Sequence, residues 1–144
     1  MVDWSKFDNG VFLVFTLGIV YNPNTKKILI GLRKPDPYIK ELTWVFPGGR
    51  MRYDKEVEDH LKDIIKEKTG VSAEVRDVVF AKTYPEKREF LSIYLMCVTD
   101  DTEAKAIDYQ EIKWVNPTEV KDYFTTSLHP KLYAFLKKLE KEGL

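Results

Sequence analysis

Two arginines, Arg50 and Arg52, follow a pair of glycines, Gly48 and Gly49. Arginine offers a planar fork of N–H donors that suits phosphate oxygens. Glycine lets a backbone pass close to a ligand because it has no side chain. These four residues therefore predict a site that binds a phosphorylated ligand. The alternative is that both arginines are ordinary surface residues on a loop.

Carboxylates recur after the arginines at a spacing of four, in Asp59, Asp63 and Glu67. Residues four apart share one face of a helix. Mg²⁺ is usually bound by one or two carboxylates together with phosphate oxygens and water. Asp63 and Glu67 are therefore candidate metal ligands, with Glu56 as a third. The alternative, favoured for Asp59 and Asp63, is an ordinary solvated acidic face.

A strand, a glycine loop and a helix are predicted to position these groups. Trp44 to Phe46 is a short apolar run suited to a buried strand. The loop at Pro47-Gly48-Gly49 interrupts it, and Asp54 is predicted to cap the helix that follows. Gly70 is predicted to end that helix in a left-handed conformation. One face of the helix is apolar, because a set of residues falls at helical spacing: Val57, Leu61, Ile64, Ile65 and Lys68.

The rest of the chain predicts further strands and two late helices. Apolar runs over 11–20 and 27–33 indicate a hairpin, and 34–42 is a proline-marked loop. The apolar run over 88–98 predicts a second central strand, with a shorter strand centred on 78–80 before it. A strand over 111–115 precedes a helix that starts at Asn116, by its Asn-Pro-x-Glu pattern, and ends near Phe124. His129-Pro130 is predicted to open the last helix.

The register from Gly49 to Gly70 resembles the Nudix (MutT-like) box. That box is glycine, five residues, glutamate, seven residues, and then Arg-Glu-apolar-x-Glu-Glu-x-Gly-apolar. The spacing fits this chain without insertion, and Ile65, Glu67 and Gly70 match by type. Other box positions are replaced, with lysine, aspartate, isoleucine and lysine in place of Glu, Arg, Glu and Glu: Lys55, Asp63, Ile64 and Lys68.

The resemblance implies a Nudix-like α/β/α sandwich of the α/β (α+β) class, with a mixed β-sheet and one domain over 1–144. In this family the helix glutamates hold a divalent metal against a diphosphate. Only Glu67 remains of that set, so the resemblance implies Mg²⁺ or Mn²⁺ that is weakly bound. Lys55 and Lys68 place positive charge where metal would otherwise lie, and an ammonium can act beside a phosphate as a point charge.

The implied function is hydrolysis of a nucleoside diphosphate linked to another moiety. The segment 44–50 also resembles the GDP-mannose mannosyl hydrolase branch, and Leu128-His129 is a second, shorter likeness. The resemblance to this branch implies a nucleotide sugar as one example of such a substrate. Glu67 and Glu111 are the candidate catalytic residues, since a base in this family often comes from a loop outside the box. Asp108 is the alternative to Glu111 as that base. The alternative is an inactive Nudix-fold module for nucleotide binding, regulation or interaction.

Composition narrows the class of protein. The 144 residues carry a net charge of zero, which argues against an extended nucleic-acid surface. No apolar run approaches the roughly 18 residues of a membrane span. The single cysteine, Cys97, is expected to be a buried core residue. We therefore expect a cytoplasmic protein with a small-molecule nucleotide as its partner, and similar proteins leave a homodimer open.

Overall fold

The computed structural model describes residues 12–35, 43–85, 87–125 and 128–144. Within these ranges seven strands form one hydrogen-bonded sheet. The strands are β1 (Leu13–Asn22), β2 (Lys27–Leu32), β3 (Trp44–Val45), β4 (Gly48–Arg50), β5 (Glu74–Tyr84), β6 (Lys87–Val98) and β7 (Glu111–Val115). The helices are α1 (Val57–Thr69), α2 (Val120–Tyr123) and α3 (Pro130–Glu142), and a 3₁₀ turn (Pro117–Glu119) leads into α2.

Strand β1 lies in the middle of the sheet and pairs with three others. It runs parallel to β6 along nearly its whole length. Its other edge pairs antiparallel with β4 and, at the hairpin end, with β2. Strand β2 carries β3 and β7, and β5 lies beyond β6. The sheet is therefore mixed, and the predicted hairpin and the two predicted central strands are confirmed.

The two faces of the sheet are buried against different helices. Alternate residues of a strand point to opposite faces, so Ile19 and Tyr21 belong to one core and Val20 to the other. The first core includes Leu132 and Leu136 of α3. The second includes residues of α1, together with Cys97, which is fully buried. This arrangement confirms the α/β/α sandwich and the core position of the cysteine.

The ends of α1 follow the prediction at one end only. Gly70 ends the helix with φ 74°, and its N–H donates to the carbonyl of Lys66, so the glycine stop is confirmed. The start is later than predicted, because Glu56 and not Asp54 holds the N-cap position. Val57 is the first apolar residue that can turn towards the core, and the helix begins there.

The late helices begin where their sequence signals lie. The backbone N–H of Asn116 donates to Oε1 of Glu119 at 3.0 Å. His129 precedes α3, and its Nδ1 accepts from the N–H of Lys131 at 3.1 Å. A helix-start role for His129, rather than a role as a base, is what the His-Pro pair indicates.

Two expectations differ from the structure, and parts of two others lie outside the described residues. Gly48 to Arg50 form a strand where a loop was predicted, and β5 is longer than its predicted centre. Residues 36–42 of the predicted loop and Val11 of the predicted hairpin lie outside the described residues. No helix in the described part of the chain is long and apolar enough to cross a membrane.

Candidate functional site

Strand β4 brings the two glycines against both β1 and α1. Gly48 lies opposite Leu17, and Gly49 lies opposite Thr16. A Cβ on Gly48 would lie 2.0 Å from the carbonyl oxygen of Thr16, which no side chain could tolerate. A Cβ on Gly49 would meet Ile64 of the helix at 3.4 Å. Close pairing of β4 with β1 therefore requires glycine at position 48, whereas a side chain at position 49 would make ordinary contact with α1.

The hydrogen bonds between β4 and β1 leave some backbone groups of β4 free to bond with other parts of the chain. The N–H of Gly18 donates to the carbonyl of Pro47, and that of Met51 donates to Val14. Antiparallel strands alternate hydrogen-bonded and non-bonded pairs, so the polar groups of Gly48 point away from β1. The carbonyl of Gly48 indeed accepts from Nζ of Lys68 at 2.8 Å. The predicted glycine loop is thus a strand whose carbonyl already has a partner.

Lys68 is the most enclosed charged side chain of the box, with 26% of its side chain exposed. Burial lowers the pKa of its ammonium, and the nearby Arg33 guanidinium adds to that shift, while Asp108 opposes it. Oδ2 of Asp108 lies 3.9 Å from Nζ, and Oδ1 lies 3.7 Å from Nζ of Lys34. The ring of Tyr109 lies beneath Lys68, at 5.9 Å from Nζ to the ring centroid.

The segment that carries Asp108 and Tyr109 is fixed to the end of α1. The N–H of Ile107 donates to the carbonyl of Lys68 at 3.2 Å, and that of Lys105 donates to Thr69 at 2.8 Å. Burial raises the pKa of Tyr109 to about 12. Its ring fills the space left by Gly31, where a Cβ would lie 2.8 Å from the ring. Sequence reasoning singled out Lys68 but did not predict that Lys34, Asp108 and Tyr109 lie beside it, although a glycine inside the apolar strand 27–33 signals close packing.

The other end of α1 is open and rich in exposed charge. A depression of about 610 Å³ lies beside the first two turns. Its lining includes four carboxylates and two lysines, together with Tyr53: Asp54, Glu56, Asp59, Asp63, Lys55 and Lys62. Asp63 is hydrogen-bonded to Lys55. This contact lowers the pKa of Asp63 and raises that of Lys55.

The remaining predicted residues lie at several places. Arg50 and Arg52 are exposed beside β4, and Glu67 is exposed on α1. Oε1 of Glu111 lies 3.7 Å from Nζ of Lys113, and that lysine lies over the rings of Trp44 and Tyr123. Those rings pack on the core of α2 and α3. The side chain of Glu111 is therefore on the face opposite α1, so the structure does not bring Glu67 and Glu111 together.

The fit of a resident divalent metal can be tested on these side chains. No group of three His, Cys, Asp or Glu residues in the described part of the chain is arranged to hold a metal ion. Asp63 is already paired with Lys55, and Ile64 offers no oxygen. The ammonium of Lys68 is hydrogen-bonded to the carbonyl of Gly48. The predicted ligands Glu56, Asp63 and Glu67 therefore do not form a preassembled metal site.

The fold and this strand–helix unit are those of the Nudix class. The model of the NUDIX domain matches residues 13–139. The match spans most of the sequence, so the chain belongs to the Nudix family. No curated protein matches this chain.

Several solved structures share the fold at low sequence identity. The MutT protein from Methanosarcina mazei has a TM-score of 0.70 and 15% identity, over 92% of this chain and 97% of that one. A NUDIX hydrolase from Nitrosomonas europaea has a TM-score of 0.72 and 16% identity, over 92% and 74%. An ADP-ribose pyrophosphatase from Streptococcus suis has a TM-score of 0.64 and 19% identity, over 90% and 93%. These likenesses show the fold alone.

Proposed function

We propose that this protein binds a nucleoside diphosphate joined to a second group, for example a nucleotide sugar, at the box between β4 and α1. The observation that carries the proposal is the basic cluster at the end of α1. Lys68 and Lys34 share the single carboxylate of Asp108, and Arg33 is near enough to lower the pKa of Lys68. Two ammonium groups therefore lie beside the carboxylate of Asp108 where a diphosphate would lie, and the carboxylate of Glu67 also acts on Lys68.

Arg50 is the last residue of β4, where it lies opposite Phe15 of β1. It is exposed, so its guanidinium is available to a ligand from solvent. A guanidinium can bind phosphate oxygens in a bidentate manner. Arg52 follows two residues later and is also exposed. We propose that Arg50 and Arg52 bind the phosphates of the ligand. Gly48 and Gly49 allow the close packing that places Lys68 beside β4.

The proposal assigns binding rather than turnover to the resting site, because the box lacks a preassembled set of metal ligands. Mg²⁺ needs oxygen ligands, and a lysine cannot lower the pKa of a bound water as a metal ion does. Relatives of the same fold are named as enzymes: the Streptococcus suis protein is described as an ADP-ribose pyrophosphatase. This chain differs from the standard box of the family at four positions: Lys55, Asp63, Ile64 and Lys68.

A second candidate function is hydrolysis of the same class of substrate with a metal ion that arrives bound to it. The four carboxylates of the open depression favour this function, because acidic side chains repel a free diphosphate and attract its metal complex. The candidate ligands for that metal ion are Glu56, Asp63 and Glu67. Of these, Glu67 stands at a position where the family box has glutamate. In this candidate the Lys55–Asp63 pair must open before Asp63 can bind a cation.

A panel of nucleotide sugars and dinucleoside polyphosphates tests both functions. Melting temperature is measured with each compound, and released phosphate and nucleotide are measured with Mg²⁺ or Mn²⁺. Binding without turnover predicts a raised melting temperature and no release. Metal-dependent release that Glu67→Gln abolishes would establish hydrolysis instead. A panel that neither stabilises the protein nor is cleaved would contradict both functions.

A combined variant separates a lost metal site from a lost pocket. Lys55→Glu, Ile64→Glu and Lys68→Glu together replace two positive charges and an alkyl group with three carboxylates. The expected result is tighter Mn²⁺ binding than in the native protein, measured by calorimetry, since carboxylate oxygens are the ligands this ion prefers. Glutamates placed at the exposed positions Lys137, Lys138 and Lys141 of α3 serve as the control of equal number.

A further inference from the structure

We propose that Lys68 and Lys34 form an anion subsite that needs no metal, in which Asp108 is the internal counter-ion that a bound diphosphate displaces. The subsite rests on the proposed function for its ligand class. It goes further by naming the cation, the group that leaves, and the independence from metal. The contacts that support the subsite lie at the C-terminal end of α1.

The first step concerns how Lys68 is held. Its Nζ donates to the carbonyl of Gly48 at 2.8 Å, so the ammonium is fixed against β4. The ring of Tyr109 lies on another side of it, and that ring is buried. An ammonium has three donors, and the carbonyl uses one of them. A cation held in this way by the protein can attract an anion without metal.

The second step concerns Asp108, which pairs with both lysines only loosely. Its oxygens lie 3.9 Å from Nζ of Lys68 and 3.7 Å from Nζ of Lys34. Both distances exceed the usual 2.7–2.9 Å or so of a charge-assisted hydrogen bond. The Asp108 side chain is 57% exposed and can turn into solvent. A ligand with several phosphate oxygens can therefore replace the carboxylate of Asp108 as the partner of both ammonium groups.

The third step concerns the charge balance when the carboxylate leaves. When Asp108 turns away, Glu67 is the remaining carboxylate that acts on Lys68, and Arg33 acts on it as a cation. A divalent cation placed beside these groups would be repelled, because like charges at short distance disfavour each other. A diphosphate would instead be attracted. The same cluster therefore favours the anion and disfavours the metal.

Calorimetry with inorganic pyrophosphate and with ADP, in EDTA and then in Mg²⁺, tests the subsite. The native protein is expected to bind both probes in EDTA, with affinity that Mg²⁺ does not improve. Lys68→Met is expected to weaken binding by about tenfold or more, as for other close charge pairs. Lys66→Met is the matched control, since Lys66 is in the same turn and also donates to a backbone carbonyl, that of Gly70. It should change affinity by less than about twofold.

Asp108→Asn keeps the test decisive if Lys68→Met does not fold. The residue is exposed, and its amide no longer competes for the ammonium groups. Pyrophosphate is expected to bind more tightly, by about threefold to tenfold. Unchanged or weaker binding by Asp108→Asn would overturn the displacement, and so would a native affinity that requires Mg²⁺. If binding needs metal, the proposed function survives and the subsite fails; if no probe or panel compound binds under any condition, the proposed function itself fails.

Discussion

The two ends of α1 differ in packing and in charge, although both belong to the same box. At the start, the carboxylates and lysines around the open depression are exposed, and Lys55 pairs with Asp63 in solvent. At the end, Lys68 is largely enclosed and holds β4 through the carbonyl of Gly48. The first end can rearrange at little cost, whereas the second is fixed by packing. The proposed anion subsite lies at the second end.

The largest effect is expected at the packed end, for Gly48→Ala. Its Cβ would overlap the carbonyl of Thr16 and press on Leu17, so β4 must move away from β1. We expect a loss of about 3 kcal/mol or more in the free energy of unfolding, measured with urea. Gly49→Ala is the matched control, because its Cβ meets only Ile64 and Lys68 at 3.4 Å. It should cost about 1 kcal/mol, and equal losses for both variants would contradict the account of β4.

A smaller gain is expected for His60→Leu, on the buried side of the first two turns. Nε2 of His60 is buried and has no hydrogen-bond partner, and the residue is 2% exposed. A buried polar group without a partner costs stability, so leucine should raise the free energy of unfolding by about 1 kcal/mol. Urea unfolding checks this, with Asp59→Leu on the exposed side as the control. A clear loss of stability in His60→Leu would mean that the imidazole makes a contact that stabilises the fold by more than its missing hydrogen bond costs.

The pH dependence of stability tests whether Lys68 is enclosed. Burial lowers its pKa from 10.5 in the folded state. Between the two pKa values the unfolded chain binds more protons, so the stability due to this group rises with pH in that window. The difference in free energy of unfolding between the native protein and Lys68→Met should therefore increase as the pH rises from the lowered folded pKa towards 10.5. The same difference for Lys66→Met should stay flat, and a slope for both would indicate a shared surface effect.

The smallest effect on stability is expected at the open end, for Lys55→Met. The hydrogen bond from Lys55 lowers the pKa of Asp63 below 3.8. The pair therefore stabilises the fold above the unfolded pKa of the carboxyl group, and the contribution is lost as pH falls through the lowered folded pKa. In the variant, NMR titration should show the pKa of Asp63 raised, with little change in melting temperature. Lys62→Met is the control, since Lys62 is a weaker cause of the same shift.

Local signals in the sequence predicted the elements of this fold well. The αL stop at Gly70, the Asn116 start and the His129-Pro130 start are set by residues adjacent to one another. The central strands follow from apolar runs whose burial needs a sheet covered on both faces. The N-cap at Asp54 was wrong, because core packing at Val57 decided where α1 begins.

The candidate site shows where local signals stop. The residue types alone set the spacing from Gly49 to Gly70 and put Lys55, Asp63, Ile64 and Lys68 between those glycines. The strand position of Gly48, the contact of Lys68 with its carbonyl, and the place of Asp108 beside Lys68 depend on how the chain folds. The same packing places Glu111 on the far face of the sheet. These outcomes depend on contacts between residues distant in the chain, and such contacts are fixed by how the sheet pairs and by which side chains it buries.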